Sequence, residues 1–131
     1  MPIPWAGDAP SYGFGPGPAS WLPQPQSWAS LSVAAQAGVD GSTLEFYRAA
    51  LQARRTEHAL ADGPLTWLDA PAGVLAFRRE AADGTALICA LNLEQATVAL
   101  PTSWGTTVVV SSQAATTALV IGGETAVWLR T

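Results

Sequence analysis

The chain has 131 residues, 49% of them hydrophobic and only 12% charged, which suits one domain or a small domain with an appendage. Six arginines and no lysine stand against ten carboxylates, a net charge of −4, so the clustered cations that bind a nucleic-acid backbone or an anionic membrane surface are missing. One cysteine and one histidine exclude an internal disulfide and any metal site built from several Cys and His, and no apolar run approaches the roughly 18 residues that cross a bilayer.

The opening Met1-Pro2-Ile3-Pro4-Trp5 carries neither a cation nor an apolar core and does not read as a signal peptide. A cytoplasmic protein is expected. Residues 1–25 hold seven Pro and four Gly, a composition that forbids helix interiors and central strands. Yet Trp5, Tyr12, Phe14, Trp21 and Trp28 lie in this stretch or just beyond it, and a solvated linker has no use for five rings. Residues 1–41 are therefore predicted to be an ordered, irregular loop packed on something.

Residues 42–60 read as one helix. Ser42-Thr43-Leu44-Glu45 is a capping box, in which the Ser hydroxyl accepts from the amide of the third helical residue and Glu45 reaches back. Leu44, Tyr47, Leu51 and His58 recur at helical spacing, with Phe46, Ala49, Ala50 and Ala53 widening the face. Arg54, Arg55 and His58 suit the negative end of the helix dipole, and Gly63-Pro64 stops the helix. Such a broad apolar face demands a partner.

From Leu65 onward the period changes to two. Short apolar segments at 65–68, 74–79, 85–93, 97–100, 106–110, 119–121 and 125–130 are separated by turn residues, including Asp83-Gly84 and Gly122-Gly123. Seven short strands at this spacing predict a mainly β fold, a small antiparallel sandwich over residues 64–131. The 85–93 segment is apolar on both faces and is predicted to be the central strand.

The residues yield no catalytic constellation. His58 reads as a cation at a helix end, and Cys89 as a small core residue. A glycosidase needs two facing carboxylates, and every acidic residue except Asp8 falls at a predicted cap, helix face or turn, where solvation accounts for it. Gly13-Phe14-Gly15-Pro16-Gly17 is glycine-rich, but no strand precedes it and its prolines lack the donors a phosphate wants. No cofactor and no metal are expected.

The order of short motifs resembles a family. Pro2-Ile3-Pro4-Trp5 is followed by Gly13-Phe14, Trp21-Leu22-Pro23, Val33-Ala34-Ala35-Gln36 and Thr43-Leu44-Glu45-Phe46-Tyr47-Arg48. Then come Leu51-Gln52-Ala53-Arg54-Arg55, His58-Ala59-Leu60, Gly73 to Arg79, and Leu91-Asn92-Leu93. This series resembles the C-terminal portion of glycoside hydrolase family 13, the α-amylase family, in its α-glucosidase and oligo-1,6-glucosidase branch. The resemblance implies that residues 1–41 are a loop from the rim of a (β/α)₈ barrel, 42–60 the last barrel helix, and 64–131 the C-terminal β domain. It also implies that Trp5 and Phe14 lie near the leaving-group side of the sugar site in an intact enzyme. The family's nucleophile, general acid and third catalytic Asp all lie upstream of the Pro-Ile-Pro-Trp motif, and so does an Arg that would fall just before Met1. An internal start codon or a frameshifted gene would produce such a chain.

The expected function follows. The chain is a structural portion that braces a catalytic barrel, in cis in a parent enzyme or in trans as an accessory subunit, without activity alone. A second expectation is a free-standing α-glucan-binding sandwich. Of its candidate stacking rings, Trp67 and Trp128 fall in strands and are expected in the core, whereas Trp104 falls in a loop and is the one expected to be exposed. Neither nucleic acid nor a membrane is an expected partner.

Overall fold

The computed structural model describes residues 2–113 and 119–131. Met1, with its place in the opening motif, lies outside the described residues. The chain divides into two compact units, Met1–Tyr47 and Arg48–Thr131.

The first unit is irregular but closely hydrogen-bonded. It holds two 3₁₀ segments, Pro10–Gly13 and Gln26–Leu31, and a single helical turn, α1 (Val33–Gln36). These short turns interrupt an otherwise irregular stretch, and the longer of them fall in residues 26–36, where no proline removes a backbone donor. Ser32, fully buried, caps α1: its hydroxyl donates to Ala29 O at 2.8 Å and accepts from Ala35 N at 3.3 Å. The N-terminal segment docks on this turn, with Val33 N donating to Pro4 O and Ala34 N to Trp5 O.

Helix α2 (Thr43–Thr56) starts at the predicted box. The Ser42 hydroxyl accepts from Glu45 N at 3.2 Å, as the motif requires. The return bond is different. Glu45 Oε1 accepts from Gly38 N at 2.9 Å, and Gln36 Oε1 takes the orphan amide of Leu44 at 3.0 Å. The helix also ends earlier than predicted. Thr56 bonds back to Gln52 O at 3.1 Å, and Glu57 is extended. A separate 3₁₀ turn, His58–Leu60, follows.

All seven predicted strands are present: β1 (Leu65–Trp67), β2 (Val74–Glu80), β3 (Ala86–Asn92), β4 (Val98–Ala99), β5 (Thr107–Ser111), β6 (Val120–Ile121) and β7 (Ala126–Arg130). They form a five-stranded antiparallel sheet in the order β1-β2-β3-β7-β5 and a two-stranded sheet β4-β6, a small sandwich. Strand β3 is central and buried on both faces, as its unbroken apolar run demands. On the inner face Ala76, Ile88, Ala90, Val127 and Leu129 pack with Leu100, Trp104 and Ile121. On the outer face Leu87 packs with Ala59 and Leu60 of the 3₁₀ turn, flanked by Val109 and Trp128.

Candidate functional site

In the first unit one carbonyl organises the loop. Tyr12 O accepts from both Trp5 N (2.7 Å) and Ala6 N (3.0 Å), which brings residues 5–6 against residues 12–14. Ser11 and Tyr12 both adopt the left-handed conformation, φ +50° and +49°, which non-glycine residues rarely do. The rings that the resemblance places near a substrate, Trp5 and Phe14, are 52% and 47% exposed in this loop, and Trp21 is 84% exposed. Large apolar rings so open to water are costly unless something covers them.

In the second unit the polar chemistry gathers at the end of the 3₁₀ turn. His58 lies beyond the helix end rather than on its last turn, and its Nδ1–H donates to Asp83 Oδ2 at 2.9 Å. Asp83 Oδ1 accepts from the Thr85 hydroxyl at 2.6 Å and from Thr85 N at 2.9 Å. These hydrogen bonds, those of Thr85 first and then His58, hold the Asp83 carboxyl well below the usual carboxylate range. A carboxylate so fixed is a poor general base and is no acid near neutral pH. The cluster instead ties the 3₁₀ turn to the β2–β3 hairpin. Glu57 pairs with Arg130, an interaction that raises the Arg130 pKa, and Arg79 Nη2 donates to Ala61 O at 2.7 Å. Strands β2 and β7 and the β2–β3 turn thereby grip the segment 57–61. Sequence reasoning missed this grip, because nothing in the spacing says that residues 58 and 83 meet. Among the described residues no group of three or more His, Cys, Asp and Glu could hold a metal ion, and no helix is long and apolar enough to cross a membrane.

The tryptophans of the sandwich reverse their expected roles. Trp104, expected at the surface as a stacking ring, is 6% exposed in the inner core. The reason is local: residues 102–104 form a 3₁₀ turn, Trp104 N bonds to Pro101 O, and Gly105 follows at φ +97°, turning the ring inward. Trp67, expected in the core, is 61% exposed, because β1 is the edge strand of the sheet. It meets Phe77 edge-on, with centroids 5.6 Å apart. Trp128 is half-buried against the 3₁₀ turn.

No protein-family profile and no curated protein matches the chain. Solved structures do. Isomaltulose synthase PalI of Klebsiella sp. LX3 superposes at a TM-score of 0.81 with 21% identity, over 99% of this chain and 24% of its own. A substituted trehalulose synthase MutB gives 0.79 and 20%, over 100% and 25%. The α-glucosyl transfer enzyme XgtA gives 0.76 and 32%, over 99% and 25%. Over its whole length the chain is similar in fold to a portion of these glycoside hydrolase family 13 enzymes. The chain spans about a quarter of the length of each of those enzymes.

Proposed function

We propose that this chain braces a catalytic (β/α)₈ barrel of α-glucosidase type, lends its rim loop to the substrate entrance, and hydrolyses nothing alone. One observation carries the reading: apolar side chains stand open on every part that would meet a barrel. Tyr47 and Leu51 on α2 are 61% and 51% exposed, and Trp5, Trp21 and Phe14 in the loop are similarly bare. The carboxylates support it. Glu57 and Glu80 are engaged by arginines, Asp83 by His58 and Thr85, and Glu45 by a backbone amide. None of those is arranged as one half of a pair facing another carboxylate across a sugar.

Two assays test it. The purified chain incubated with maltose, isomaltose or sucrose is expected to release no glucose. Co-expressed with a family 13 barrel truncated before its own C-terminal portion, it is expected to co-purify with that barrel and restore turnover. Turnover by the chain alone, abolished by replacing one of its carboxylates, would overturn the proposal.

A further inference from the structure

Independently of that bracing role, the chain carries one dipeptide three times. Asp40-Gly41, Asp62-Gly63 and Asp83-Gly84 each set a carboxyl group beside a glycine amide. The following peptide nitrogen is placed to attack such a carboxyl, and glycine has no side chain to block the approach. By sequence the three pairs are equals; the structure separates them. We propose that Asp40-Gly41 is a site of self-modification, isomerising to isoaspartate, while the surroundings of the other two pairs guard them.

The reaction balances with water alone. The Gly41 nitrogen bonds to Asp40 Cγ and gives up its proton, the protonated carboxyl gives up its hydroxyl, and the two leave as water. A five-membered succinimide results. Water then opens the ring at one of its two carbonyls. One opening restores Asp40. The other routes the main chain through the side-chain carbon, which adds a methylene to the backbone and leaves a free α-carboxylate.

The attack needs a free carboxyl, a free glycine amide and room to turn the peptide between them. Asp83-Gly84 has none of these. Asp83 Oδ2 accepts from His58 Nδ1 at 2.9 Å, Oδ1 accepts from Thr85 N and from its hydroxyl, and Gly84 N donates to Ala81 O at 3.0 Å. The same bonds keep that carboxyl ionised, whereas only the protonated form sheds its oxygen as water. Around Asp62-Gly63 the backbone is fixed. Arg79 holds Ala61 O, and Gly63 lies so close to Glu80 O that a Cβ would not fit. Asp40 is exposed, and among the described residues none bonds its carboxylate. Open space surrounds Gly41, at φ +75°. A single bond, Ser42 N to Val39 O at 3.1 Å, closes the turn around the pair, so turning their shared peptide disturbs little else.

The position gives the change a structural effect. Ser42, two residues on, caps α2 and donates to Gln36 O at 2.9 Å, while Gln36 Oε1 holds Leu44 N. An added methylene between residues 36 and 42 spoils that spacing and loosens the start of α2.

The test ages the whole purified chain near neutral pH, beside a sample unfolded in guanidinium. Trypsin, cutting after arginine, puts the three pairs in separate peptides, 1–48, 56–78 and 80–130. Endoproteinase Asp-N then cuts before aspartate but not before isoaspartate, and mass spectrometry counts the resistant fraction at each pair. In the unfolded chain the three pairs are expected to convert alike. In the folded chain Asp40 is expected to convert about tenfold faster than Asp62 or Asp83, the factor that about one hydrogen bond is worth. His58→Ala is expected to raise the Asp83 rate severalfold and to leave the Asp40 rate unchanged. The converted chain is expected to show faster amide exchange at Leu44 and Glu45. Equal rates at the three pairs of the folded chain overturn the proposal, as does a folded chain without product at Asp40 once the unfolded chain has converted. A folded His58→Ala chain with an unchanged Asp83 rate overturns the guarding, and unchanged exchange at Leu44 and Glu45 overturns the effect on α2.

Discussion

Asn92 is the most constrained side chain of the sandwich. It is fully buried, donates from Nδ2 to Ala96 O and to Gly122 O at 2.8 Å each, and accepts from Glu94 N at Oδ1. One carboxamide thus pins the loop after β3 to the turn before β7. Asn92→Ala leaves three backbone groups without their side-chain partner and is expected to cost about 2 kcal/mol. Urea denaturation checks this, and a loss under about 1 kcal/mol would mean that water replaces the amide. Cys89 is a second constrained position, on the central strand. Its register partners are Phe77 and Trp128, and burial pushes its thiol up to about 11. In the unfolded chain the thiol ionises near pH 8.5. Between those values the unfolded state has lost a proton that the folded state keeps, so stability is full below about pH 8.5 and falls as pH rises toward 11. Cys89→Ala is expected to flatten this alkaline decline. Denaturation midpoints measured from pH 7 to 10.5 decide it, and an unchanged slope would remove Cys89 from the account.

Among the elements, those governed by local rules were legible in the sequence, and those governed by distant partners were not. Period-two alternation and turn residues found every strand, and the unbroken run at β3 found the centre of the sheet, because both patterns follow from which face each side chain must present. The capping serine was equally plain. The end of α2 was not, because Glu57 leaves the helix to meet Arg130, 73 residues away. Trp104 was misread for a related reason. A polar loop Thr-Ser-Trp-Gly looks exposed until the glycine's conformation is known. At Gly105, φ is +97° and an added Cβ would sit 2.2 Å from Arg130 O, so no other residue fits. Gly105→Ala must push β7 away or unwind the turn that plants Trp104 in the core. It is expected to cost at least about 3 kcal/mol, comparable to truncating the ring itself. Thermal unfolding of Gly105→Ala and Trp104→Ala, side by side, tests the coupling. Two losses that fail to match and that add in the double variant would show the glycine and the ring to be independent.

At the scale of the whole chain, the order of the motifs carried a family resemblance with which the solved neighbours agree, while the candidate site stayed mostly hidden. The rings Trp5 and Phe14 were named from resemblance, and the structure leaves them about half exposed. The loop that carries them turns on the left-handed pair Ser11-Tyr12, a conformation no propensity predicts. What the whole chain offers is a contrast between two kinds of apolar residue. Inner ones such as Leu129 and Val127 are almost wholly covered, and their truncation costs the usual several kcal/mol of a packed core. Outer ones such as Tyr47 and Leu51, one helical turn apart on α2, touch too little to matter to this chain's own folding. If their purpose is a barrel, the two properties should separate on substitution. The double variant Tyr47→Ser, Leu51→Ser is expected to shift the stability of the isolated chain by no more than about 0.5 kcal/mol, as exposed positions do. The same variant is expected to lose co-purification with a family 13 barrel. Denaturation and pull-down on one preparation give both numbers. A variant that unfolds without losing its partner, or keeps both properties intact, would mean that this helix face serves the chain alone and that the bracing contact lies elsewhere.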